Sequence, residues 1–248
     1  DRESFDLRQR DLKPSSWRLE SATGLDLLER IRKSGTPLGK YCNGQFFNGV
    51  KPGHSCFTID EKTKAKLLQE HSSSADVIFP FLRGRDIKRW ATQPNQQWLI
   101  YVPWHFPMQM DETITSVSKK AESAFRKQYP AIFKYLERHR ESLAARDQAE
   151  TGIRYEWYAL ARPRFENRDF FARPKIIYPD IYEHQTFAYD TSGAFCANTC
   201  YFIPSEERWL LGLLNSDLVE WFYGNISNRI RGGDFFAFYQ SVEQGPSP

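Results

Sequence analysis

The 248-residue chain is 40% hydrophobic, 26% charged and 15% aromatic, a globular composition with enough length to bury a core. It excludes collagen, coiled coil and wholesale disorder. The net charge of +3 is too small to name a partner, so the placement of the charges matters more than their sum.

The first ten residues are charged and read as a tail or linker, taken here as 1–16. They do not resemble a signal peptide. Leu25, Leu27, Leu28 and Ile31 fall near helical spacing and predict a helix within Trp17 to Ser34, with Gly35 suited to its end. From Tyr41 to Asp60, glycines and Pro52 divide Phe46, Phe47 and Val50 from Cys56, Phe57 and Ile59. That pattern predicts two strands joined by a loop carrying Lys51 and His54. A short helix follows over Lys62 to Glu70. A buried strand, Val77 to Leu82, leads into the basic stretch 83–89, and Trp98 to Trp104 predicts another strand.

Met108 to Ser118 reads as a loop. Pro130 opens a helix, since proline suits the first helical position, with Ile132, Phe133, Leu136 and Leu143 on its inner face. The segment Arg154 to Lys175 interleaves aromatics with Arg162, Arg164 and other cations. Ile176 to Tyr178 predicts a strand. Phe187 to Tyr189, Phe195 to Ala197 and Tyr201 to Ile203 predict a meander. An apolar helix starts at Ser205-Glu206-Glu207, with a break at Asn215-Ser216. A basic glycine loop over 228–233, an aromatic strand Phe235 to Tyr239 and a Pro-rich end complete the chain. The irregular interleaving predicts an α+β class with one target domain over 17–248.

Several chemistries lack their residues. There is no Walker or dinucleotide glycine motif and no Asn-Pro-Pro-Tyr cradle for a flipped adenine. No paired carboxylates with a neighbouring lysine suit a metal-dependent nuclease. Cys42, Cys56, Cys196 and Cys200 have poor spacing for zinc and read as reduced, mostly buried thiols. The five histidines are scattered. The expectation is no catalytic residue, no metal and no cofactor within this chain. No apolar run approaches the roughly 20 residues of a membrane-crossing helix, so the expectation is a cytoplasmic protein with no membrane partner.

What the sequence does supply is Arg and Lys on glycine-bearing loops. The candidates for DNA contact are Lys51, His54, Arg83, Arg85, Lys88, Arg89, Arg162, Arg164, Arg229 and Arg231. Phosphate contacts would position such a surface, and a few side chains at base edges would specify sequence. The plain alternative for 83–89 is a solvated turn in which Asp86 pairs locally with an arginine. Trp90, Trp98, Trp104, Trp157 and Trp221 read as core residues.

Six segments, in order, resemble the TaqI-like C-terminal specificity domain. They are Gly49-Val50-Lys51-Pro52-Gly53 with Cys56 to Asp60, Phe81 to Trp90, Pro174 to Ile181, Thr199 to Pro204, Leu210 to Ser216, and Arg231-Gly232-Gly233 through Pro248. Pro52 departs from the usual threonine of that first turn. The resemblance covers Trp17 to Pro248. It implies the target recognition part of an adenine-specific DNA methyltransferase or a type IIG restriction-modification enzyme. A separate catalytic domain would then precede it, bind S-adenosylmethionine and flip the adenine. This module would close over double-stranded DNA, and the chain would not be an enzyme by itself. The methyltransferase catalytic domain is expected as a partner in cis or in trans. A specificity subunit docking a separate methyltransferase or nuclease through the helix at 206–223 remains the alternative.

Overall fold

A computed structural model describes residues 21–93, 96–107 and 111–227, with the backbone of 229–230, 235–237 and 246–247. The tail at 1–16 and Arg231 lie outside the described residues. The chain divides into two compact units. One comprises Asp1–Phe46, Asp180–Thr186 and Glu207–Pro248; the other, Phe47–Pro179 and Phe187–Glu206. Helices and mostly antiparallel strands give the α+β class.

In the first unit, the helix Ala22–Ser34 is capped by Ser21, whose Oγ accepts the Gly24 N–H at 3.1 Å. Leu28 and Ile31 are buried, whereas Leu27 faces out. Gly35 follows the helix in extended backbone, φ −141°, so it is not a left-handed cap. The helices Arg208–Leu214 and Asp217–Ile226 break where Asn215-Ser216 predicts, and Ser216 Oγ caps the second by accepting the Val219 N–H at 3.3 Å. Arg229–Ile230 is a strand rather than part of a loop. It pairs with Phe235–Ala237, which also pairs with Ile181–Tyr182. Pro246–Ser247 pairs with Thr36–Pro37.

The second unit holds two sheets. In the four-stranded sheet the order is Phe195–Cys196, Ile78–Leu82, Gln97–Ile100, Thr58–Asp60; the first pair is parallel and the others antiparallel. In the five-stranded sheet the order is Phe47–Asn48, Cys200–Pro204, Lys175–Pro179, Ala188–Asp190, Trp90–Ala91, with only the last pair parallel. One expectation is borne out here and one is corrected. The two strands flanking the loop of Lys51 and His54 are present, Phe47–Asn48 and Thr58–Asp60, and they belong to different sheets. The meander over 187–203 is corrected: Phe195–Cys196 pairs with Ile78–Leu82, while Cys200–Pro204 pairs with Lys175–Pro179. Residues 197–199 carry the chain from one sheet to the other.

The Pro130 helix runs to Glu137, followed by Arg140–Ala144, and Ile132, Phe133, Leu136 and Leu143 are all buried as their spacing predicts. The preceding helix Lys119–Gln128 went unread because only Ala121 and Phe125 of it are buried. Phe125 stacks on Tyr158 at 4.4 Å between ring centres, within a core that also holds Phe57, Leu99 and Phe171.

Lys175 is not part of a basic surface. It is fully buried, 2.6 Å from Asp190 Oδ2, and donates to the Phe171 carbonyl at 2.8 Å. The tryptophan expectation needs correction at Trp90, whereas Trp98 and Trp157 pack against the main core and Trp104 against a smaller cluster. Trp98, Trp104, Trp157 and Trp221 are half-buried, and Trp90 is exposed.

Candidate nucleic-acid interface

The candidate surface begins where three chain segments run side by side in one direction. Phe195–Cys196 pairs in parallel with Phe81 and Leu82, and the next residue, Ala197, donates its N–H to the Leu82 carbonyl at 2.8 Å. On its other side Ala197 bridges Val50, again in parallel. Parallel neighbours leave a sheet at the same end, so Lys51 and Arg83 both emerge beside residues 197–199. Gly49 makes the close approach possible. A Cβ there would stand 2.1 Å from the Ala197 carbonyl oxygen and 2.4 Å from that of Cys196.

Lys51 and Arg162 exchange both backbone hydrogen bonds, at 3.0 and 2.9 Å, as an antiparallel bridge. Directly opposed residues place their side chains on one face, so these two half-buried cations are neighbours. The turn between Lys51 and His54 is equally constrained: Gly53 has φ +78°, and a Cβ there would meet that of Ala161 at 2.5 Å.

Arg146 holds this loop pair from below. Its guanidinium donates to the carbonyls of Leu143, Trp157, Ala159 and Pro52, at 2.9, 2.7, 2.9 and 3.4 Å. Nothing in the spacing around Arg146 distinguishes it from a surface arginine, and sequence reasoning missed it.

The second basic segment is a single 3-10 turn, Gly84–Asp86, set directly after the strand Ile78–Leu82. Asp86 organises it. Its Oδ2 accepts the Arg83 N–H at 2.8 Å, and its Oδ1 lies 4.0 Å from Arg85 Nε. The local pairing expected of Asp86 is thus present, but Asp86 is buried and 72% of the Arg85 side chain remains exposed. Arg83 is half-buried, with Nη2 donating to Gln97 Oε1 at 3.0 Å. Lys88 and Arg89 are exposed. Arg89 also lies over the Trp90 ring at 5.4 Å. Trp90 itself sits at φ +82°, a sparsely populated conformation for a bulky residue. Its N–H is held by the Phe187 carbonyl at 2.8 Å.

The remaining candidates divide. His54 Nδ1 accepts the Cys56 N–H at 3.2 Å and so caps the short turn Ser55–Phe57, while Nε2 lies 3.3 Å from Ser142 Oγ. Burial, followed by His139 and Arg146, pushes its pKa below the ordinary histidine value. The structure engages His54 in holding the loop. Arg164 adopts φ +53° and donates through Nη2 to Asn48 Oδ1 at 3.1 Å. Arg229 lies in a strand of the other unit.

Among the described residues no group of three or more His, Cys, Asp or Glu could hold a metal ion. The four cysteines are free, and burial pushes the Cys56 thiol up to about 12. No helix of the described residues is long and apolar enough to cross a membrane.

Residues 79–242 match the model of the TaqI-like C-terminal specificity domain. The chain belongs to this family. The matched TaqI-like segment is narrower than the span of the motif likeness. It takes in the Gly84–Asp86 turn, Arg162, Arg164 and Arg229, and it leaves Lys51 and His54 to the preceding loop. The chain is 33% identical over 129 residues to the type II methyltransferase M.BanIII of Aneurinibacillus aneurinilyticus; the aligned part is 49% of this chain but only 22% of that relative. It is also similar, with TM-score 0.48 and 16% identity over 81% of this chain and 24% of the other, to the type IIL restriction-modification enzyme MmeI, whose structure was solved in complex with DNA. The chain thus spans about a quarter or less of these relatives.

Proposed function

We propose that this chain reads a short duplex DNA sequence as the specificity module of an adenine-N6 methyltransferase or a type IIG restriction-modification enzyme. The observation that carries the reading is the shared exit of Lys51 and Arg83 beside Ala197, with Arg162 opposite Lys51; Arg83, Arg162 and Ala197 lie within the segment that matches the TaqI-like specificity domain. The likeness to M.BanIII, a methyltransferase by name, supports the parent activity. On this reading Lys51, Arg162, Arg85, Lys88 and Arg89 contact phosphates or base edges, with arginine forks suited to guanine O6 and N7. Methyl transfer and S-adenosylmethionine belong to a catalytic domain in cis or in trans, and the setting is the cytoplasm.

The test is selection of bound duplexes from a randomised pool at two salt concentrations, followed by sequencing. An enriched motif that survives the higher salt supports sequence readout. Unenriched binding that vanishes with salt reduces the role to phosphate attraction.

A second reading is favoured by a different observation. Trp209 and Leu218, on the paired helices of the first unit, are 44% and 48% exposed. Exposed apolar side chains on these helices suit docking of a separate methyltransferase or nuclease. DNA binding that appears only when that partner is added would favour this reading.

A further inference from the structure

A cavity of about 420 Å³ opens beside Arg162. It is lined by Trp104, His105, Thr151, Arg162 to Phe165 and Glu166. That volume suits a small organic ligand rather than an ion. Its walls combine aromatic surface with two guanidinium groups.

Three features set it apart from an ordinary surface dent. Two of its lining residues, His105 and Arg164, adopt positive φ, +55° and +53°, a region that side-chain-bearing residues seldom enter. His105 is held there by Glu156, buried behind it, which accepts the His105 N–H at 2.8 Å and lies 3.2 Å from Nδ1. Arg164 is anchored by Asn48, yet its Nε is buried with no hydrogen-bond partner among the described residues. Finally, Trp104 is fixed rather than free. Its Nε1 donates to the Leu160 carbonyl at 2.9 Å, and its ring stacks on Tyr155 at 5.7 Å.

We propose that this cavity takes a single nucleotide, with the base against Trp104 and Phe165 and the phosphate at Arg162 and Arg164. A planar ring joined to an anion answers both kinds of wall, and Glu166 offers an acceptor for an exocyclic amine. Because Arg162 is paired with Lys51, the cavity adjoins the candidate DNA surface. The nucleotide could come from bound DNA, as one residue turned out of the duplex, or from solution. Only its origin in DNA rests on the function proposed above.

The experiment is calorimetric titration of the 248-residue protein with deoxynucleoside 5′-monophosphates, the matching nucleosides and inorganic phosphate. The monophosphate is expected to bind about tenfold tighter than either fragment, since each fragment lacks one of the two contacts. Arg164→Gln is expected to weaken it about tenfold, and Phe165→Ala to remove the advantage of the monophosphate over phosphate. The thermal melt of each variant is recorded alongside; if Arg164→Gln does not fold, Phe165→Ala carries the test.

Equal binding of phosphate and monophosphate would overturn the nucleotide assignment, leaving an anion site only. Absence of monophosphate binding to folded protein would overturn it whether or not duplex DNA binds, so intact duplex binding would leave the wider function standing. A duplex carrying 2-aminopurine separates the sources. A fluorescence rise on binding, reversed by added monophosphate, supports a nucleotide drawn from the DNA. No rise, with monophosphate still binding, supports a nucleotide taken from solution.

Discussion

The anchored cations Arg146 and Lys175, at separate places in the second unit, and the cations of the turn at 83–90 are the same residue types used oppositely. Arg146 directs its donors to four carbonyls, one in a helix and three in loops, and Lys175 is sealed against Asp190 with neither side chain more than 2% exposed. In the turn, Asp86 is the buried residue, and Arg85, Lys88 and Arg89 point outward. A positive charge therefore says little about role. What separates the structural cations from the binding candidates is whether the charged end is held inside the fold or left exposed at its surface.

The largest test of that contrast is Lys175→Met. It leaves Asp190 buried without its cation, and breaking such a pair costs about 3–5 kcal/mol. Urea denaturation should show that loss. A variant as stable as the parent would mean that Lys175 is no more structural than Arg85.

Gly49→Ala comes next. Its methyl would have to displace the backbone at Cys196 and Ala197, at about 1–3 kcal/mol. The same variant should also weaken DNA binding, because it moves Lys51 relative to Arg83. Lost stability with unchanged affinity would separate the two loops.

Arg85→Ala probes the other region. Its stability should change by no more than about 0.5 kcal/mol, as expected of an exposed site. DNA affinity should fall, and the slope of log affinity against log salt should flatten by about 0.9 for one lost phosphate contact. Unaltered affinity would remove Arg85 from the surface, and a collapsed melting transition would place it with Arg146.

The smallest effect concerns His54. Its folded pKa is lowered, so the unfolded chain takes up the proton first as pH falls. His54 therefore contributes stability above the ordinary value of 6.5 that is lost as pH falls below it. Melting temperatures at pH 8 and pH 5.5 should differ less for His54→Gln than for the parent. An equal difference in both would remove His54 from the account.

Much of this organisation was legible in local pattern. The Pro130 helix shows its inner face through apolar spacing, and the Asn215-Ser216 break announces a cap. The strand Ile78–Leu82 is a short apolar run flowing directly into the basic turn. The helix Lys119–Gln128 was not legible, since two buried residues leave too weak a stripe. Trp90 could not be placed either. A large aromatic residue is ordinarily core, and only its pairing beside Ala188 holds it exposed in a strained backbone.

By itself, the sequence determined the mixed class, most helices, the basic loops and the likeness to a specificity domain. Each of these depends on neighbours within a few positions or on an ordered set of short motifs. The tertiary structure alone decided which sheet each strand joins, and hence that Lys51 and Arg83 leave the fold together. It alone separated Arg146 and Lys175 from Arg85. The shared exit depends on pairings between residues more than a hundred positions apart, such as Val50 with Ala197 and Lys51 with Arg162, whereas the roles of Arg146 and Lys175 depend on nearer partners, such as Trp157 and Asp190, whose contacts no periodicity announces. Local periodicity records which face of an element is buried, but not which distant element buries it.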